Sequence, residues 1–309
     1  MKTRIAAALA AGLLALSACS SANPLSSASP AASGSPTATG ATTLVVGSQQ
    51  YYSNEIIAEL YAQALEHHGF TITRQFQIGA REVYLPELKA GKIDVFPEYA
   101  GNLLRALDKT SKAATSEEVL AALPKALGDN LRPLTAAPAT DQDSFNVSGD
   151  FAKTNNVASL ADLAKLNRTI KLCANSEISS PDRSYGPDGL KENYGITVEV
   201  VPVEDGGGPL TVKALKDGKC DMADIYSADP AIARNGLVTL ADPKGIVLPQ
   251  NVVPIVSPRV DEAAAAVIDK VSAALTTDEL VAMNLLSVDK QQSSATIAKA
   301  WLTAKGLLS

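Results

Sequence analysis

Histidine is nearly missing from this chain. There are two in 309 residues, His67 and His68, adjacent and near the end of one predicted helix. A pair so placed serves neither a distant nucleophile nor a metal that needs spaced ligands. No Gly-x-Ser-x-Gly elbow, His-Glu-x-x-His or Cys-x-x-Cys occurs either. Hydrolase triads, zinc proteases and zinc ribbons are excluded on those grounds. The run Gly206-Gly207-Gly208 lacks the Lys-Ser/Thr pair of a phosphate loop, so it is not a nucleotide cradle. Carboxylates such as Asp94, Glu98 and Asp224 are available for acid–base work, yet nothing singles out a pair. Basic clusters are absent, and the formal charge is −6. That balance argues against nucleic acid and against an anionic bilayer surface as partners.

Cysteine is scarce as well: Cys19, Cys173 and Cys220. Cys19 closes an N-terminal pattern. Lys2 and Arg4 form a short positive region, and Ala6 to Leu16 is apolar but too short to span a bilayer. Leu16-Ser17-Ala18-Cys19 then resembles a bacterial lipoprotein signal, in which the cysteine is lipidated and becomes the first mature residue; an ordinary secretory signal is the plainer reading. Residues 1–18 are thus expected to be a signal peptide. Residues 19–42 are expected to be the lipidated cysteine and a flexible Ser/Ala/Pro/Thr/Gly linker, since such composition buries too little apolar surface to fold. Loss of Lys2 and Arg4 takes the charge from −6 to −8. The remaining pair, Cys173 and Cys220, is even in number in an exported chain, which favours a disulfide over two buried free thiols. Closing that loop is worth roughly 3–4 kcal/mol.

From Thr43 onward strands alternate with helices, the grammar of a parallel α/β sheet. Thr43–Val46 reads as a strand. A helix with its N-cap at Ser53 runs to Gly69, and Phe70–Phe76 is a second strand. Arg81–Ala90 reads as a helix stopped by Gly91. Ile93–Phe96 follows as a short strand that Pro97 bars from continuing as a central one. Glu117–Leu127 is helical with an interruption at Pro124. The chain changes lobes near Asp141-Gln142-Asp143-Ser144-Phe145. Ser159 and Asp162 make a capping box. A second α/β set comprises strands at 170–174 and 197–203 and helices at 188–194 and 209–217. Ile246–Val256 returns the chain to the first lobe, and three helices with core Trp301 complete it. The expected division is 43–143 plus 252–309 for lobe I and 144–251 for lobe II.

One internal match organises this pattern. Leu88-Lys89-Ala90-Gly91-Lys92-Ile93-Asp94 is echoed by Leu215-Lys216-Asp217-Gly218-Lys219-Cys220-Asp221. Each leucine is followed eleven residues later by a tyrosine, Tyr99 and Tyr226. Each ring thus sits at the carboxyl end of a strand, where open α/β sheets place ligands. Taken alone, Tyr99 either faces a cleft or plugs a sheet edge. The matched pair favours a shared cleft. Aromatic walls suit a quaternary ammonium, whose charge cannot donate hydrogen bonds and is attracted to each ring by ~0.5–2 kcal/mol.

The segments Gly79-Ala80-Arg81-Glu82-Val83-Tyr84-Leu85-Pro86, Glu98-Tyr99-Ala100-Gly101-Asn102-Leu103, Pro187-Asp188-Gly189-Leu190 and Ile225-Tyr226-Ser227-Ala228-Asp229-Pro230 carry a resemblance. In this order they resemble the glycine betaine/choline/carnitine-binding proteins of osmoprotectant ABC importers, from about Leu44 to the C-terminus. The resemblance implies an α/β, two-lobed periplasmic-binding-protein fold (type II) with two lobe crossings and the ligand between the lobes. It implies an aromatic cage with Tyr99 and Tyr226 as two rings and Phe145 on the crossing as another. Gln250 falls where a further tyrosine is expected, and Gln49 where a lysine is common. Arg183 matches an arginine that holds a betaine carboxylate, or else is a solvated loop residue. Asn102 and Asp143 are further polar candidates. The implied partners are a small quaternary ammonium ligand, an ABC permease and its ATPase.

The chain is therefore expected to be an extracytoplasmic, lipid-anchored, monomeric solute-binding protein that needs no cofactor. Two alternatives stay open: the same scaffold holding an amino acid derivative or aromatic compound, and a surface lipoprotein enzyme.

Overall fold

Among the described residues, ten short strands form in two groups, because the β-branched runs alternate with glycine- and proline-marked turns. The computed structural model describes residues 43–181 and 183–308. The signal peptide, Cys19 and the linker to residue 42 lie outside the described residues. Strands β1 (Thr43–Gly47), β2 (Thr71–Gln75), β3 (Val95–Tyr99), β4 (Arg132–Pro133) and β10 (Val252–Val256) make one sheet. Strands β5 (Phe145–Ser148), β6 (Ile170–Ala174), β7 (Val198–Pro202), β8 (Met222–Asp224) and β9 (Leu237–Thr239) make the other.

The two sheets share one plan. Their orders are β2-β1-β3-β10-β4 and β7-β6-β8-β5-β9. In each, three strands run parallel and the fourth, the first after a lobe crossing, runs antiparallel. Helices cover both faces. Leu44, Val46, Ile57, Ile268, Ile297 and Trp301 pack on one side of the first sheet, and Leu88, Phe96, Leu103 and Leu123 on the other. Trp301 is core, and its Nε1 donates to Glu279 at 2.6 Å. The C-terminal helices Glu262–Ala274 and Ser294–Ala304 return to the first lobe and pack on the helix Tyr52–His67.

The sequence echo is a repeated structure. The helices Arg81–Lys89 and Pro209–Lys216 end in the same turn, with Gly91 at φ 70° and Gly218 at φ 71°. The Lys92 N–H donates to Glu87 O, and the Lys219 N–H to Ala214 O, both at 3.0 Å. The aspartate three residues past each glycine then ties neighbouring strands. Asp94 accepts the Val45 N–H at 2.8 Å and Asp221 accepts the Lys171 N–H at 2.9 Å. Arg259 pairs with Asp94, and Arg168 with Asp221. These tasks leave Asp94 a structural tie.

Three expectations are corrected. Pro97 does not end its strand: β3 continues to Tyr99 and lies between β1 and β10. Pro97 faces Pro254 across the ladder, a position needing no N–H from either residue. Their carbonyls turn outward instead, accepting Asn54 Nδ2 and the Leu134 N–H. The first helix has Tyr51 at its N-cap position, with no side-chain capping bond, and Ser53 lies inside it with its hydroxyl donating to Asp141. Pro124 does not break the helix Ser116–Leu127, which starts in a capping box of Thr115 and Glu118.

Cys173 and Cys220 are joined by a disulfide, their Cα atoms 5.7 Å apart and 47 residues apart in sequence. It staples β6 to the turn that leads into β8, strands already paired in register. Reduction is expected to lower unfolding stability by about 3–4 kcal/mol through the freed loop. A denaturant titration with and without reductant reads that difference. A Cys173→Ser/Cys220→Ser variant should show no response to reductant.

Candidate functional site

The carboxyl ends of β1, β3 and β8 converge where the lobes meet, and each delivers a tyrosine. Tyr99 is the last residue of β3, and Tyr226 follows β8 by two residues. Tyr51, in the loop after β1, reaches between them. Its ring centroid lies 6.1 Å from that of Tyr99, near-stacked, and 5.1 Å from that of Tyr226, tilted. Asn54 Nδ2 approaches the Tyr99 hydroxyl at 3.4 Å. Burial pushes all three phenols above their ordinary range, so the rings stay neutral.

Glycines make this approach possible. A Cβ on Gly207, at φ 78°, would sit 2.8 Å from Ile225 Cα and 2.9 Å from Asp224 O. The run that fails as a phosphate loop is therefore a thin wall behind Tyr226. On the other side, a Cβ on Gly101 would lie 2.6 Å from Leu248 Cβ and 2.7 Å from Pro249 O. The helix Ala100–Leu107 rests directly on the returning crossing there.

Beside the rings lies a charged cluster. Asp143 Oδ2 accepts Asn102 Nδ2 at 3.0 Å. The Tyr185 hydroxyl accepts from Asn102 at 3.2 Å and from Arg183 at 3.0 Å. Arg183 pairs with Glu177 at 3.1 Å. Asp224 lies in the same cluster as Asp143. Burial first, and then the Asp143 charge, push the Asp224 carboxyl well above the usual carboxylate range. Burial likewise raises Glu177, against the pull of Arg183. Asp143, Asn175, Glu177, Arg183, Tyr185, Asp224 and Tyr226 surround a cavity of only about 10 Å³. That is space for about one water.

The two lobe crossings run side by side behind the cleft. Thr140 bridges Asn251 in antiparallel fashion, the Asp141 N–H donates to Gln250 O and the Val252 N–H to Ala139 O. The Asp141 carboxylate bonds Ser53 of the first lobe and the Ala228 N–H of the second. Burial pushes its pKa up to about 7 in spite of those two donors. The folded value lies above the unfolded one, so this group's contribution is full at acid pH and is lost as pH rises from about 4 to about 7. Asp141→Asn should therefore gain stability relative to the parent between pH 5 and pH 8, a gap that thermal melts across that range would measure.

The expected site residues are distributed as follows. Tyr99, Tyr226, Asn102, Asp143 and Arg183 meet at the lobe interface. Phe145 opens β5 and packs into the core of the second lobe. Gln250 is fully buried, and its Oε1 caps the helix Ala100–Leu107 by accepting the Asn102 N–H at 3.0 Å. Gln49 donates its N–H to Asn54, and its buried Nε2 has no partner. Sequence reasoning did not single out Tyr51, Tyr185 or Glu177. Tyr51 had a readable signal, as it follows the carboxyl end of the first strand.

Comparison with known proteins agrees with this architecture. The glycine betaine-binding protein YehZ of Escherichia coli (strain K12) is 28% identical over 213 residues, covering 65% of this chain and 69% of that protein. The apo structure of Escherichia coli YehZ superposes with a TM-score of 0.63 at 26% identity, covering 86% of this chain and all of that one. A crystal structure of a glycine betaine/carnitine/choline ABC transporter superposes with a TM-score of 0.70 at 22% identity, again over 86% of this chain and all of the other. Residues 42–304 match the family described as the substrate binding domain of ABC-type glycine betaine transport systems, and the chain belongs to that family.

Proposed function

We propose that this protein captures a quaternary ammonium solute between its lobes and hands it to an ABC permease driven by an ATPase. The observation carrying the reading is that Tyr51 stands ring to ring with Tyr99 of one lobe and Tyr226 of the other. Three faces at ~0.5–2 kcal/mol each hold a cation that forms no hydrogen bonds. Glycine betaine, choline and carnitine share that head group. The relative YehZ, named for glycine betaine, supports the same class. Asp143, Asp224 and Arg183 line the small cavity beside Tyr226 and offer further polar partners to the ligand. Phe145, Gln49 and Gln250 belong to the surrounding shell in this reading, behind the residues in contact.

The protein acts by binding and release, without catalysis. Residues 1–18 are its export signal, Cys19 carries the lipid anchor and residues 19–42 are the tether. Lobe I is 43–143 plus 252–309 and lobe II is 144–251, in a monomer. Calorimetry with choline, glycine betaine, carnitine and proline betaine tests the ligand class. Heat with at least one of them at millimolar ligand is expected, and silence from all four would overturn the reading. Fatty-acid labelling of the wild type but not of Cys19→Ala would report the anchor.

A further inference from the structure

The cleft contains one polar atom that the cage does not explain. Asp224 is 8% exposed, and its Oδ1 has no hydrogen-bond partner although it lines the small cavity beside Tyr226. Asp143, also 8% exposed, lines the same water-sized cavity. Two buried carboxyl groups on so small a cavity cannot both hold charge, so they share a proton. Asp143 already accepts from Asn102 Nδ2, whereas Asp224 Oδ1 has no donor. The proton therefore sits on Asp224. An unpartnered carboxyl oxygen facing a tyrosine cage is a place for positive charge.

We propose that the Asp143–Asp224 pair is a proton-exchanging cation subsite, in which a quaternary ammonium ligand without a carboxylate takes the place of the shared proton. The inference rests on the quaternary ammonium reading above. As the cation enters the cage, the O–H bond of Asp224 breaks, its electrons stay on the carboxylate and the proton passes to the buffer. Both aspartates then face the ligand. The other charged or titratable groups around the pair are fixed in their roles. Arg183 is held by Glu177 and Tyr185, and Tyr185 and Tyr226 remain neutral phenols. Asp141, on the same crossing as Asp143, is bound to Ser53 and Ala228, and Arg81 is engaged by Glu98. Choline, a net cation, gains from ionising the pair. Glycine betaine brings its own carboxylate, which leaves the proton where it is.

The two ligands should thus differ in their response to pH. Over the range in which the pair titrates, choline affinity is expected to rise about tenfold per pH unit, the slope of one proton released. Glycine betaine affinity is expected to stay flat. Calorimetry in phosphate and in Tris, from pH 5.5 to 8.5, reads the released proton from the difference in apparent heat. Asp224→Asn removes the exchangeable proton, so its choline affinity should lose the slope. Should that variant fail to fold, isotope-edited infrared difference spectra of the wild type give the same test: the band of a protonated carboxyl should vanish on adding choline. Choline binding with a flat pH profile, or with the carboxyl band unchanged, overturns the proton exchange and leaves the cage intact. Absence of binding by every quaternary ammonium overturns both.

Discussion

Tyr226→Ala should weaken quaternary ammonium binding about thirtyfold, and Tyr99→Ala should do nearly the same. A desolvated ring over a cation is worth up to about 2 kcal/mol, and each 1.4 kcal/mol is a factor of ten. The two rings come from different lobes and meet through Tyr51, 6.1 Å from one and 5.1 Å from the other. Neither can substitute for the other, because each belongs to its own sheet. Phenylalanine at either position keeps the quadrupole and should stay within a few-fold of wild type. Dissociation constants at fixed salt decide the matter. An alanine variant with unchanged affinity for the ligand that binds would falsify the cage, whatever the ligand proves to be.

Arg81→Met is expected to cost about 3–5 kcal/mol of stability, the range for breaking a buried ion pair from one side. Glu98 is fully buried in β3, directly before Tyr99. Arg81 meets it through two nitrogens, each at 3.0 Å, and the Tyr84 hydroxyl donates at 2.6 Å. The Tyr99 N–H closes the set at 2.8 Å. Removing the guanidinium leaves a carboxylate with no cation inside the lobe. Arg81→Met/Glu98→Leu should recover most of the loss, since the pair's net worth is small beside the penalty for orphaning one member. Denaturant midpoints of the two variants separate these outcomes. Because Glu98 also orients the backbone of Tyr99, the single variant should bind ligand more weakly even where it is folded.

The repeat was legible in sequence because its marks are local. A glycine at positive φ, an aspartate that ties strands and a tyrosine at a strand end each occupy a set place in a short motif. Gly91, Asp94 and Tyr99 therefore announced the first unit, and Gly218, Asp221 and Tyr226 the second. Pro97 misled because its tolerance depends on Pro254, a residue far along the chain that faces it across the ladder. Tyr51 was missed for a similar reason: its place in the cleft depends on how one loop leans toward the other lobe. Gln250 shows a limit of matching by position, since its amide serves the first turn of a helix. Asp143 and Asp224 meet on one cavity from a crossing and a strand end, and no spacing in the chain foretells it.

The paired crossings have a mechanical consequence. Two strands bonded to each other, as Thr140 and Asn251 are, flex out of their common plane far more easily than they slide past one another. Such a ribbon leaves the lobes one soft rotation and makes shear and torsion stiff. In the proposed binding cycle, closure about that rotation would return Tyr99 and Tyr226 to the same register, as a door returns to its latch.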